Sequence, residues 1–204
     1  VSALLSAEGF VLAGGQSSRM GRDKALLELA GKPLIFRALN TLRSAGLLAK
    51  IAGAKADLSP FSSVVPDEIT DAGPLGGICS ALEVAEADLI AFLPVDLPLI
   101  PASLIRILIE DAGLTGVAVT VPSLNGFAQT FPAVVRREAS RVLRAELEAG
   151  RLGVFAAFRS LGVRVVPVEF VPLSDEHGWP AYRWFWNVNT PEDLARVESA
   201  LSAG

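Results

Sequence analysis

Short apolar runs alternate along this chain with segments whose apolar positions recur every three or four residues, the signature of buried strands and amphipathic helices in turn. Gly9-Phe10-Val11-Leu12 is short and apolar enough for a buried strand. Pro33 opens a helix with Leu34, Ile35, Ala38, Leu39 and Leu42 at helical spacing and Gly46 at its end, and residues 47 to 54 supply the next strand. Asp88 to Asp96 is the clearest strand, apolar at successive positions as a central parallel strand buried on both faces must be. After Pro101, the residues Leu104, Ile105, Leu108 and Ile109 form a helical stripe. Gly116 to Val121 reads as a strand and about Arg137 to Ala149 as a helix. Val163 to Val171 alternates weakly around Pro167, which predicts an edge strand, and Pro172 to Arg183 reads as a loop. Thr190-Pro191-Glu192-Asp193 has the form of an N-cap, a first-position proline and acids in the first turn, launching Leu194 to Leu201. The alternation predicts an α/β fold of three layers, doubly wound, with a mostly parallel sheet covered by helices on both faces, in a single domain over residues 1–204.

With 204 residues the chain is long enough to bury a core without covalent staples. A net charge of −4 gives no global basic field, so nucleic acid is not an expected partner and a small anionic substrate fits better. The single cysteine, Cys79, excludes an intramolecular disulfide framework and a cysteine-based zinc site; among small apolar neighbours it reads as a buried, inert thiol. His177, the only histidine, lies in a Pro/Gly-rich segment and is assigned no chemistry. No apolar stretch reaches the length of a membrane span, and residues 1 to 8 contain Glu8 and no basic segment. These features predict a soluble cytoplasmic protein without a secretion signal or membrane partner.

The densest chemistry follows the first strand, in Leu12-Ala13-Gly14-Gly15-Gln16-Ser17-Ser18-Arg19-Met20-Gly21-Arg22-Asp23-Lys24. Gly14 and Gly15 allow the backbone to approach a ligand closely, and Arg19, Arg22 and Lys24 add full positive charges, a combination that points to a phosphate. It is neither a Walker A loop nor G-x-G-x-x-G. Asp96, at the end of a buried strand and before Leu97-Pro98, emerges at the carboxyl edge of the sheet, where ligands of open α/β sheets bind. A second glycine-rich element, Asp67 to Ile78, runs into a helix. Its Gly73, Gly76 and Gly77 leave room for a flat base, and a carboxylate there can accept from guanine; Asp71 is equally suited to local capping.

The first segment, continuing through Ala25 to Leu34, resembles the molybdenum cofactor guanylyltransferases (MobA) within a larger superfamily of Rossmann-like nucleotidyltransferases. Asp67 with Gly73-Pro74-Leu75 resembles that family's D-x(n)-G-P-L-x-G segment lining the base and ribose pocket. Asn187-Val188-Asn189-Thr190-Pro191-Glu192-Asp193-Leu194 matches its N-x-N-T-P-E-[DE]-L. The resemblance implies transfer of GMP from GTP to molybdopterin, transient contact with other molybdenum cofactor biosynthesis proteins, and Mg²⁺, with Mn²⁺ as a substitute. It places Arg19, Lys24 and Asp96 in catalysis, with Asp96 as metal ligand. Leu12, Ala13, Gly14, Gly15, Lys24, Asp67, Gly73, Pro74, Leu75 and Asp96 fall at nucleotide-binding positions, and Asn187 and Asn189 face the acceptor or metal-bound water. Two places depart from the pattern. Gln129-Thr130-Phe131-Pro132-Ala133-Val134 displaces the proline of Gln/His-Pro-Thr-x-Ala-Leu on the acceptor-facing wall, and Gly53 stands where some members offer the base an asparagine. A cytidylyltransferase or another acceptor therefore stays open, as does a non-catalytic nucleotide-binding regulator. Trp179, Trp184 and Trp186 either stack on a pterin or pack the core.

Overall fold

The computed structural model describes residues 6–14, 23–53, 57–69, 72–170 and 178–202. Strand β1 (Ala7–Leu12) is followed by a small antiparallel hairpin, β2 (Glu28–Leu29) and β3 (Lys32–Pro33), and then by helix α1 (Leu34–Ser44). The chain continues through β4 (Leu48–Ala52), β5 (Val64–Val65), α2 (Gly73–Val84), β6 (Leu89–Pro94) and α3 (Ala102–Thr115). Next come β7 (Val119–Leu124), β8 (Phe127–Ala128), β9 (Ala133–Arg136), α4 (Ser140–Glu148), α5 (Val154–Leu161), β10 (Val163–Pro167) and α6 (Pro191–Ser202). The main sheet runs β10-β7-β9-β6-β1-β4-β5, with β8 paired to β7. β1 is parallel to both β4 and β6, and β10 to β7; β9 is antiparallel to both of its neighbours. This is the mostly parallel, helix-covered architecture expected from the alternation.

Successive side chains of a strand point to opposite faces, and the two cores follow that rule. Leu89, Ala91 and Leu93 of β6 join Val11, Ile51 and the buried stripes of α1 and α3, whereas Ile90 and Phe92 join Phe10, Leu12, α2, α4 and α5. Phe10 and Phe92 lie side by side with ring centroids 6.2 Å apart. Fully burying each such side chain contributes about 1.5–3 kcal/mol, which explains why β1 and β6 carry no polar position at their centres.

Several boundaries differ from the sequence expectation for local reasons. Pro33 completes the β3 pairing and stands just before α1, so that Leu34 is the first helical residue. Gly116, at φ 71, ends α3 in the left-handed region, and the strand expected from Gly116 begins instead at Val119. Ala181–Phe185 forms a 3-10 helix after Pro180 within the span read as a loop; residues 171–177, including His177, lie outside the described residues. The antiparallel strand β9 has no counterpart in the sequence reading, because four residues between a hairpin and a helix carry too little periodicity to identify. β10 does lie at the sheet edge, and Cys79 is buried, its thiol pushed up to about 11 by desolvation.

Glu8 is the charged group committed to the amino end of the sheet. Its Oε1 accepts from the N–H groups of Glu86 and Ala87 at 2.7 and 3.0 Å, and its Oε2 pairs with Lys50 Nζ at 2.8 Å. Burial by itself raises its pKa, but the N–H of Ala87, the Lys50 ammonium and the N–H of Glu86 outweigh it and hold the carboxyl below its ordinary 4.5. The native state therefore stays ionised where the unfolded chain takes up a proton. The contribution of Glu8 is complete above pH 4.5 and declines as pH falls through the lower folded value. Glu8→Gln is expected to lose about 1–3 kcal/mol at pH 7 in urea unfolding, with the gap to the wild type closing as pH falls through the folded value. A gap independent of pH would show that the charge is not what Glu8 contributes.

Candidate active site

The parallel pairing of β1 with β4 and β6 brings Leu12, Ala52 and Pro94 side by side at the carboxyl edge of the sheet. Backbone bonds extend the register beyond the strands, from Ala13 N–H to Ala52 O at 3.0 Å and from Val95 N–H to Leu12 O at 3.1 Å. A cleft of about 410 Å³ opens there, between the β1 and β6 ends, the start of α2 and the segment around Phe185. Leu12, Ala13, Gly14, Lys24, Pro74, Asp96 and Asn187 all line it. Gly15 and Arg19, with Arg22, lie outside the described residues.

Lys24 begins a 3-10 turn, Lys24–Leu26, capped by Asp23, whose Oδ1 accepts from Ala25 N–H at 2.9 Å. Its Nζ donates to Asn189 Oδ1 at 2.7 Å and pairs with Asp96 Oδ2 at 3.3 Å, joining residues from three distant parts of the chain. Both ends are braced. Val188 is buried and donates its N–H to Asp96 O at 2.9 Å. Thr190 Oγ1 accepts from Asp193 N–H at 3.2 Å while Asp193 Oδ2 accepts from the N–H groups of Asn189 and Thr190 at 3.0 and 3.1 Å, a reciprocal capping box that opens α6 as the sequence predicts. The Asn189 N–H, with Thr190 and Arg196, holds the Asp193 carboxyl below its ordinary value.

The second glycine-rich element is placed differently. Leu75 is fully buried against the sheet, so its side chain turns away from the cleft, while Pro74 lines it and Gly73 opens α2. Gly76 and Gly77 are buried as well; a Cβ at Gly76 would lie 2.7 Å from Ala72 Cβ, and one at Gly77 3.4 Å from Asp67 Oδ1. Their missing side chains admit Asp67 and close helix packing rather than opening a slot for a flat base. Asp67 also lies against Gly53, where an added Cβ would meet its Oδ1 at 3.1 Å. An asparagine at position 53 would thus be crowded, and Gly53 itself sits at φ 70, where side chains are strained.

Gln129, Thr130 and Phe131 line the same cleft, joined by Asp23, Leu97 and Phe185, which the sequence reading did not single out. Asp23 left a signal, since an aspartate just before a short turn is a local cap. Phe185 left none, being one aromatic within a short stretch that carries no periodicity. The three tryptophans pack rather than line the cleft: Trp179 and Trp184 are buried, and Trp186 lies beneath the guanidinium groups of Arg196 and Arg183, 4.9 and 5.6 Å from its ring centre. The oxygens meeting at Lys24, one anionic and one neutral, form a hard donor pair that suits a divalent cation taking its remaining ligands from water and phosphate. Among the described residues no cluster of three or more His, Cys, Asp or Glu could hold a metal by itself.

Residues 9–166 match the family model of the MobA-like NTP transferase domain. A probable molybdenum cofactor guanylyltransferase of Natronomonas pharaonis is 34% identical, with 95% of this chain and 98% of that protein covered. A molybdenum cofactor guanylyltransferase of Xanthomonas euvesicatoria pv. vesicatoria is 35% identical, with 93% of each covered. In fold, the chain is similar to molybdopterin-guanine dinucleotide biosynthesis protein A from Archaeoglobus fulgidus, with a TM-score of 0.81 at 22% identity over 97% of this chain and 100% of that one. A 2-C-methyl-D-erythritol 4-phosphate cytidylyltransferase from Thermus thermophilus shares the fold at a TM-score of 0.68 and 16% identity, covering 96% and 98%.

One contact at the cleft is testable without any ligand. A Cβ at Gly14 would run into the carbonyl oxygen of Gly53, so these two loops approach as closely as glycine alone permits. Gly14→Ala is expected to lower stability by about 1–3 kcal/mol in denaturant unfolding, through forced displacement of one loop. Coincident unfolding curves for the two proteins would refute that close approach.

Proposed function

The chain belongs to the MobA-like NTP transferase family, and from that premise we propose that it transfers GMP from GTP to the terminal phosphate of molybdopterin, releasing pyrophosphate and forming a guanine dinucleotide cofactor. The observation that carries this reading is the meeting of Lys24, Asp96 and Asn189 at the carboxyl edge of the sheet beside Gly14. The molybdenum cofactor guanylyltransferases among its relatives support the choice of base and acceptor. No helix among the described residues is long and apolar enough to cross a membrane.

In this reading an oxygen of the acceptor phosphate forms a bond to the α-phosphorus of GTP in line with the bond that breaks, and the pyrophosphate leaves with that bond pair. No protein nucleophile is required, so the chain's task is positioning and charge neutralisation. Lys24 exchanges its hold on Asp96 and Asn189 for phosphate oxygens, and Arg19 adds a second positive charge. Gly14 and Gly15 let the backbone N–H groups approach the phosphates, Leu12, Ala13 and Pro74 with the backbone at Gly73 and Leu75 frame the nucleoside, and Asp67 supports that frame from beside Gly53. Asn187, which lines the same cleft, faces the acceptor. Asp96, with Asn189 beside it, would hold Mg²⁺ (or Mn²⁺), which when bound neutralises charge on the triphosphate oxygens.

GTP with Mg²⁺ is expected to raise the melting temperature more than CTP, ATP or UTP, since a ligand bound only to the native state adds about 2.7 kcal/mol at a hundredfold excess over its Kd. Equal shifts would remove the base assignment, and the largest shift with CTP would favour a cytidylyltransferase. In a single-turnover transfer assay, Lys24→Ala and Asp96→Ala are each expected to slow transfer by about 10³-fold, with circular dichroism and melting unchanged. Near-normal turnover of Asp96→Ala across a Mg²⁺ titration would overturn the metal assignment, and binding of GTP without any transfer by the wild-type chain would mark a regulator instead.

A further inference from the structure

A second cavity of about 410 Å³ lies between α1 and the loop Pro98–Pro101 with the first turn of α3, and it shares no lining residue with the cleft described above. Its charged lining residues are Lys32, Arg37 and Arg106, all cationic. Arg37 uses Nε and Nη2 on Leu29 O, at 2.9 and 2.7 Å, and Arg106 uses Nη1 on Ser44 O at 2.8 Å, so each guanidinium keeps further N–H groups unspent. Glu198, whose charge reaches Arg37, accepts from Ala30 N–H and is not part of the lining.

The α3 helix, 14 residues long, opens on this cavity with Pro101 in the cap position and no side chain accepting from its first turn. A helix start of this kind favours an anion, and a second observation points the same way. Ser103, at the second helical position, lines the cavity with only 7% of its surface exposed, and its hydroxyl makes no hydrogen bond within the described residues. The residue is thus held in the wall while its hydroxyl is left for a ligand entering the cavity.

We propose that this cavity is a second anion site, taking an oxyanion of the phosphate class between the first turn of α3, the Ser103 hydroxyl and the guanidinium groups of Arg37 and Arg106. The class follows from the donors: hydroxyl, backbone N–H and planar guanidinium groups line one cavity whose lining holds no carboxylate to repel the ligand.

Isothermal titration of inorganic phosphate into the full chain tests the assignment, with every protein carrying Lys24→Ala so that the cleft lysine does not contribute. A saturable site is expected in that background. Adding Ser103→Ala should weaken binding by about fivefold and adding Arg106→Gln by about tenfold, as loss of a neutral and of a charge-assisted hydrogen bond predicts. Arg106 is exposed, so Arg106→Gln keeps the test informative should the buried Ser103→Ala reduce stability, and Arg106→Lys should recover part of the affinity. Absence of saturable phosphate binding, or binding indifferent to both substitutions, would overturn the proposal.

Discussion

Strand β1 is hydrogen-bonded in parallel on both sides, to β4 and to β6, and the placement of the candidate site depends on that double pairing. Parallel pairing makes the carboxyl ends of the three strands, at Leu12, Ala52 and Pro94, finish together, and the loops leaving them face one another. The pairing is held by its two faces. Phe10 and Leu12 belong to one core and Val11 to the other, so a slip of one residue would move each into the wrong layer. The bonds from Ala13 to Ala52 and from Val95 to Leu12 carry the same register past the strand ends, which fixes Gly14 against Gly53 and brings Asp96 beside Lys24.

Electrostatics differs between the two edges of the sheet. The side chains of Lys24 and Asp96 keep 20% and 28% of their surface exposed and meet at 3.3 Å, so both groups stay accessible from the cleft. Rigidity comes from beneath: buried Val188 clamps the Asp96 turn, and the capping box of α6 fixes the backbone on which Asn189 is carried. At the opposite edge of the sheet Glu8 is buried, with both carboxylate oxygens hydrogen-bonded, and there charge does serve stability. The two ends thus hold their carboxylates in different settings, separated by the degree of burial.

Aromatic packing shows how neighbouring residues take different roles. Phe185 reaches the cleft while Trp184, adjacent in the chain, is fully buried and Trp186 is covered by two arginines. A 3-10 turn at Ala181–Phe185 separates these directions, and the composition of the segment alone does not reveal it.

The order of β1, α1, β4, α2, β6, α3, β7 and α4, both faces of β6, the edge position of β10 and the start of α6 were legible in the sequence, because burial periodicity and capping are local properties written in adjacent residues. So were the cleft-lining positions Gly14, Lys24 and Asp96, because glycines and charges cluster beside strand ends, whereas Pro74 and Asn187 were legible only through the resemblance of their motifs. Tertiary structure alone decided that Gly76 and Gly77 make room for Asp67 and helix packing, that Leu75 turns into the core, that β9 runs antiparallel, and that Lys24 spans to both Asp96 and Asn189. Those outcomes depend on which distant segments share a sheet edge. Periodicity along a chain reports which face of an element is buried, while the partner it is buried against is set by the packing of the whole sheet.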